Sequence, residues 1–409
     1  MKPYLNVATR KPGWSLEQPF YTDEEAFARD MQSVFEREWL YAGHVSQVRS
    51  AGDFFTLDIA GESIVVVRDA DDTLHALANV CRHRGSRVCL SEEGNARRLV
   101  CPYHQWVYEL DGRLASADAM PPDFRSDQFN LHRLPLEVVE GLIFVHLDAS
   151  PPDFAPTARR LETYLAPHHF DRAAVCHSER YRVRANWKLI WENFRECYHC
   201  RASHPEYCAV MLSTETLHRA AAADEFAALT ARMQRRWESA GLETATVSLG
   251  PESNLRCSRY PIREGYLTQS LDGRLVAPLM TDNAMQDMGV LGVTHLPSLM
   301  IQACADHADL TYLRPMSATE SVIQVDWLVR DSAREDLDYR KSSVVELWKR
   351  TVEQDIRLCE DNQQGVSSRF YQPGPYSIHE DDTERFMQWY EHRIERAGAP
   401  ESFGGNADE

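Results

Sequence analysis

The chain has 409 residues, 43% hydrophobic and 26% charged, a composition that excludes a disordered or fibrous protein and suggests two or three domains. Its net charge of −18 argues against non-specific binding to nucleic acid, whose phosphates attract Lys and Arg. The opening MKPYLNVATRKPGW lacks the apolar core of a signal peptide, no later stretch reaches about eighteen apolar residues, and the ten cysteines are too sparse for a disulfide scaffold, so a cytoplasmic protein without a membrane span is expected.

Residues 15 to 45 carry a helical pattern, with Thr22 as cap before Asp23, Glu24 and Glu25, and with Phe27, Met31, Val34, Phe35 and Trp39 at helical spacing. From residue 44 short β-rich runs take over. Phe54–Leu57, Ile64–Val67 and Leu74–Leu77 alternate with turn signals, Asp111-Gly112 marks a hairpin, and Leu142–Leu147 reads as a further strand. The Pro-rich segment from Leu147 to Ala158 is the boundary to a second unit. There, Ala220 to Ala240 and Val344 to Asn362 read as helices, and Leu299–Ile301 and Val322–Val329 as strands. The whole predicts an α+β protein with an all-β N-terminal unit and an antiparallel sheet covered by helices: 1–43 as an N-terminal helical segment, 44–150 as the β domain and 151–409 as the α+β domain. The polar tail from Gly398 to Glu409 is expected to fray.

Two stretches carry chemistry. In the β domain, Cys81-Arg82-His83 and Cys101-Pro102-Tyr103-His104 each offer one thiolate and one imidazole on a separate loop. Zinc fingers pair Cys with Cys and His with His, whereas mixed loops suit a Rieske [2Fe-2S] centre, in which two Cys hold one iron and two His the other. Tetrahedral S2N2 ligation is also compatible with structural zinc.

The second stretch, ENFRECYHCRASHP from Glu192 to Pro205, follows the apolar run Trp187–Trp191. Asn193, Glu196 and His199 would share one face of a continuing helix, and His204 would lie beyond a break set by Pro205. Two imidazoles with one carboxylate from elsewhere match the facial triad of non-haem Fe(II) oxygenases. Asp355, beside the apolar stripe Val345, Trp348, Val352, Ile356 and Cys359, is the candidate carboxylate, with Glu353 and Glu360 as alternatives. Cys197 and Cys200 form a C-x-x-C without a second pair, and the cysteines at 89, 176, 208, 257, 304 and 359 read as small core residues. His168, His169, His295 and His307 read as ordinary core or turn residues.

With CRHRGSR and CPYHQW upstream of ECYHCRASH, the chain resembles the oxygenase (alpha) subunit of Rieske non-haem iron oxygenases over nearly its whole length. The resemblance implies a helix-grip catalytic domain, a [2Fe-2S] cluster on Cys81, His83, Cys101 and His104, and mononuclear iron on His199, His204 and Asp355. It implies that Glu196 bridges electrons from the cluster of an adjacent subunit in a homotrimer. Asn186 and Asn193 lie on the same segment, and Asn193 is a candidate for the surroundings of the iron, with a helix-surface or capping role for either Asn as the alternative. The family usually has Asp where this chain has Glu196, a departure that resembles the subgroup acting on quaternary ammonium compounds. RECYHC, DHADLTYLRP, GPYS and the opening RKPGWSLEQPFYTD are similar to glycine betaine and stachydrine (proline betaine) demethylases. The expected activity is therefore hydroxylation of an N-methyl group of a small cationic betaine, releasing formaldehyde. Ring dihydroxylation of an arene and a purely electron-transferring or metal-binding role are the alternatives. No dinucleotide fingerprint is visible, so electrons from NAD(P)H must come through a separate flavin/iron–sulfur reductase. The residues that would surround the ammonium group are not identifiable at this level.

Overall fold

The computed structural model describes residues 6–215 and 220–398; the tail from residue 399 lies outside them. The first helical stretch differs from the expectation. Pro19–Thr22 forms one short turn, and Asp23, extended at φ −95° and ψ 127°, caps a separate helix, Glu24–Asp30, by accepting from Glu25 N at 2.8 Å. Thr22 instead donates back to Gln18 O at 3.1 Å, so the shorter acid one residue on is the cap. A wider turn over Met31–Phe35 ends the helical part, and Leu40–His44 is a fully buried strand. Sheet pairing with Leu142–Val145 takes this segment, with Leu40 opposite Val145, and the β unit thus starts before residue 44.

That unit contains a five-stranded sheet in the order Glu93–Asn95, Asp53–Ile59, Glu62–Arg68, Leu74–Ala78, Arg133–Leu134. Ile64 to Val67 are buried on both faces, as a central strand covered on both sides requires. Ala60 and Gly61 both take positive φ between the paired residues Ile59 and Glu62, the two-residue turn that matches strand twist. A small three-stranded sheet, Leu99–Val100, Val107–Tyr108 and Leu114–Ser116, stands beside it and contains the Asp111-Gly112 hairpin.

The second unit is built on a six-stranded antiparallel sheet in the order Ala173–Val183, Glu320–Arg330, His307–Ser317, Leu299–Ala303, Val290–His295, Leu255–Tyr260. Alternation sorts its side chains. Ile323, Val325, Trp327 and Val329 belong to the core under the long helix Lys341–Val366, and Leu328, Leu310, Ile301 and Leu291 join Leu161 and Leu165 of helix Ala155–Leu165 on the other side. The helix Ala220–Ser239 adds a smaller apolar cluster around Trp237. Cys257, Cys304 and Cys359 are buried as expected, whereas Cys89, Cys176 and Cys208 are only partly covered; all ten cysteines are free thiols.

Candidate active site

Cys81 and Cys101 open two loops that are near-copies of each other. In both, the Cys N–H donates at 2.8 Å to the carbonyl five residues on, Ser86 or Trp106, and the Cys carbonyl accepts from the residue four on, Gly85 at 2.9 Å or Gln105 at 3.1 Å. That fourth residue has φ +76° at Gly85 and +58° at Gln105; the glycine adopts it freely, and Gln105 at a cost of about 1 kcal/mol. The shared closure fixes each Cys alike, while the His stands two residues after Cys81 in one loop and three after Cys101 in the other. The rings of His83 and His104 lie 4.5 Å apart, and His83 stacks on buried Trp106 at 4.9 Å. Tyr108 Oη lies 3.3 Å from Cys81 Sγ and accepts from Arg82 N at 3.0 Å. Nδ1 of His83 is buried without a hydrogen-bond partner, as a nitrogen kept bare for a metal should be, so the donor set fits the cluster. Tyr103, beside His104, is 54% exposed, which leaves this edge of the loops open to another protein surface.

The iron-type site starts from helix Trp187–Phe194, capped by Asn186, whose Oδ1 accepts from Lys188 N at 2.9 Å. The cap is the role of Asn186. Contrary to the expected continuation, the helix stops at Phe194 and Glu196 folds back. Its carboxylate takes the N–H groups of Tyr198 and His199 (the latter at 3.2 Å), donors that a helix would have given to carbonyls. Glu196 Oε1 also lies 2.5 Å from His199 Nδ1, so the two residues still meet, through a turn rather than along a helix face. Cys200–Ser203 is a single helical turn, and His204, at φ −124° and ψ 67°, leaves it before Pro205.

These bends bring His199, His204 and Asp355 together. The two Nε2 atoms are 3.1 Å apart, and Asp355 Oδ1 lies 3.2 Å from that of His199 and 2.9 Å from that of His204. Oδ1 is buried and has no aligned hydrogen-bond donor despite those approaches, so three lone-pair atoms converge on one point, the arrangement a metal ion takes up. Burial opposes protonation of His199, but Asp355 and Glu196 outweigh it and lift its pKa to about 10. Burial likewise opposes ionisation of Asp355, and the two imidazoles overcome it and hold its carboxyl below the usual range. Cys200 Sγ lies within 4.8 Å of the histidine nitrogens, yet its hydrogen bond with Cys197 and its burial push the thiol far up, so it stays a protonated neighbour. Glu353 is not buried with the triad, and Glu360 is engaged by Arg184 at 2.8 Å.

The triad opens into a cavity of about 530 Å³ lined by Asn193, Arg195, Tyr207, Arg256, Tyr260 and Trp348 among others. Asn193 Oδ1 is buried there without a partner. Tyr207 and Trp348 stand with ring centroids 6.2 Å apart, and the Trp348 indole is fixed by Thr311 Oγ1 at 2.8 Å. The aromatic wall was invisible in composition, although Tyr207 follows His204 by three residues and Trp348 precedes Asp355 by seven. Gln354, beside Asp355, was also missed: its Oε1 lies 2.8 Å from His204 Nδ1. Glu192 braces the fold: Tyr21 and Tyr376 donate to it at 2.7 and 3.4 Å, and burial raises its pKa to about 7 against these bonds. Among the histidines set aside, His168, His295 and His307 are buried, and His169 lies 3.2 Å from Asp282.

Residues 38–138 match the Rieske [2Fe-2S] domain and residues 170–396 the ring hydroxylating alpha subunit (catalytic domain). The chain is 39% identical over 391 residues to the glycine betaine monooxygenase oxygenase subunit of Pseudomonas aeruginosa, covering 95% of this chain and 91% of that protein. Against the protein of that name from Chromohalobacter salexigens it is 38% identical, covering 93% of this chain and 86% of the other. The fold superposes on the quaternary ammonium Rieske monooxygenase CntA with a TM-score of 0.72 at 22% identity, over 96% of this chain and 98% of that one. Paired Cys–His loops in an N-terminal β unit and a two-His, one-Asp convergence under an antiparallel sheet, in a chain with these relatives, make this protein a member of the Rieske non-haem iron oxygenases, in the part played by the oxygenase (alpha) subunit.

Proposed function

We propose that the protein demethylates a quaternary ammonium betaine such as glycine betaine or stachydrine. Cys81, His83, Cys101 and His104 would hold the [2Fe-2S] cluster, and His199, His204 and Asp355 the iron. With both groups bound, the site supplies O2-dependent hydroxylation of a C–H bond. The chain's own residues do the rest. Glu196 and Gln354 fix the two imidazoles from behind, leaving each Nε2 for metal. Tyr207 and Trp348 offer π-faces, the means of holding a trimethylammonium group that has no N–H to donate. The N-hydroxymethyl product then collapses to formaldehyde and the demethylated amine. The observation that carries this reading is the aromatic pair in the same cavity as the triad, together with the names of the relatives.

Residues 44–150, extended by strand Leu40–His44, would be the electron-relay domain, 151–409 the catalytic domain, and the segment before that strand one packing on the latter. Glu196 would carry the electron from the cluster of a neighbouring subunit in a homotrimer, which its bond to His199 and the exposed Tyr103 beside His104 support. A separate NAD(P)H-dependent reductase would feed the cluster, as the oxygenase-subunit names of the relatives suggest. Among the described residues no helix is long and apolar enough to cross a membrane, and the free thiols favour the cytoplasm. The test is formaldehyde release from a panel of betaines with a reductase and NADH. A cis-diol from an arene, with no formaldehyde from any betaine, would replace this reading by ring dihydroxylation.

A further inference from the structure

Three arginines stand in the wall of the iron cavity, Arg195, Arg256 and Arg385, and among the described residues Asp382 pairs with the latter two while no carboxylate pairs with Arg195. Arg256 Nε pairs with Asp382 at 2.8 Å, and its other nitrogens donate to Ser258 Oγ at 2.6 Å and to Tyr260 Oη. Asp382 is further shared with Arg385 at 3.8 Å. Arg195, on the turn four residues before His199, has no ion pair among the described residues. One Nη donates to Thr294 Oγ1 and the other meets Met300 Sδ at 3.1 Å, while the buried Nε has no partner at all. Its guanidinium lies 5.0 Å from the Trp191 ring. A hydroxyl, a thioether and an indole face are weak company for a half-buried cation whose Nε is shut off from solvent. Burial, then repulsion from Arg256, lower its pKa to about 10 against the longer-range attraction of Asp382. A half-buried guanidinium facing a cavity without a counter-charge of its own is open to an anion, and its planar fork fits a carboxylate.

We infer that Arg195, flanked by Arg256, receives the carboxylate of the substrate, so that the cavity selects zwitterions carrying both a trimethylammonium-like group and a carboxylate over cationic alcohols. This deepens the demethylase reading and rests on it for the ammonium end alone. Arg195 and His199 share one turn and one cavity, so the anchored carboxylate would set which N-methyl group is presented to the metal. Arg195 is a substrate-binding residue here, and Arg256, paired with Asp382, stands in the same cavity wall.

The test measures dissociation constants of the anaerobic, reduced holoenzyme for glycine betaine, for choline (the cation without the carboxylate) and for tert-butylacetate, the carbon isostere that keeps only the carboxylate. Arg195→Met is expected to weaken glycine betaine and tert-butylacetate by about 10- to 100-fold, the range for hydrogen bonds to a charged group, and to leave choline within about threefold. Arg195→Lys should fall between. Equal losses for all three compounds with a lowered Tm, or unchanged glycine betaine affinity in Arg195→Met, would overturn the inference. If wild-type enzyme binds tert-butylacetate in an Arg195-dependent way but binds and demethylates no quaternary ammonium, the demethylase reading falls and the carboxylate site stands.

Discussion

Gln354 and His204 are joined by a 2.8 Å contact between Oε1 and Nδ1, from the residue immediately before Asp355. One helical turn therefore supplies both a candidate ligand and the group that orients another ligand. The amide is itself aligned: Gln354 Nε2 donates to Glu206 Oε2 at 3.3 Å, and Arg350 holds Glu206 at 3.0 Å. Removing such an outer partner typically lowers metal affinity 10- to 100-fold. Gln354→Leu should thus lose mononuclear iron at limiting Fe(II), by about that factor in affinity, while the Rieske visible and EPR spectra stay as in wild type. Iron per chain, measured against cluster absorbance, checks it.

Glu196 accepts from two backbone N–H groups and contacts His199 Nδ1, so Glu196→Gln keeps the shape while removing the charge. The substitution is expected to retain both metal centres and to slow oxidation of the reduced cluster in a single turnover by at least about tenfold, the lower end of outer-partner effects. Stopped-flow absorbance of the cluster with substrate and O2 gives the rate. An unchanged rate would remove Glu196 from the electron path.

Lys188 and Asp30 form an ion pair with both side chains wholly buried, and Trp187 Nε1 and Tyr390 Oη donate to the same carboxylate at 3.0 and 2.7 Å. The pair ties the N-terminal helix Glu24–Asp30, the active-site helix and the C-terminal helix Asp381–Gly398 to one point. Lys188→Met strands the carboxylate and should cost about 3–5 kcal/mol, whereas adding Asp30→Asn should restore a large part of it. Thermal unfolding of the two variants distinguishes the outcomes.

Burial lowers the pKa of His44 to about 4, of His168 to about 3 and of His295 to about 4. Unfolded histidine titrates near ~6.5, so below that pH the unfolded chain binds more protons than the folded one. Stability should therefore be intact above pH ~6.5 and fall as pH drops through the folded values near 4. His295 has the Phe144 and Phe154 rings at 5.2 and 6.3 Å, which makes Phe a tolerable replacement. His295→Phe should flatten the decline in Tm between pH ~6.5 and 4, and a slope identical to wild type would contradict this assignment.

The ligand-bearing loops were legible because their information is local. Cys81 with His83, and Cys101 with His104, sit on turns closed by hydrogen bonds four and five residues long, so sequence neighbours fix where each side chain points. His199 and Glu196 were readable for the same reason, although the helix that seemed to join them is a turn held by the Glu196 carboxylate itself. The strand at Leu40–His44 escaped the pattern because pairing with Leu142–Val145, about a hundred residues away, outweighs local helical spacing, and the cap moved from Thr22 to Asp23 because Thr22 donates back to Gln18.

What the amino-acid sequence determined alone was the chemistry of the two centres and their order along the chain. Only the tertiary structure decided how that chemistry is completed. Asp355 reaches the histidines because helix Lys341–Val366 packs on the sheet through Val344, Val345 and Val352, and Gln354 follows it. Arg195 gains its meaning from Arg256 and Asp382, which belong to a strand and a helix distant in sequence. A missing counter-charge is a property of three-dimensional neighbours, since Coulomb interaction depends on separation in space and on the dielectric between the groups.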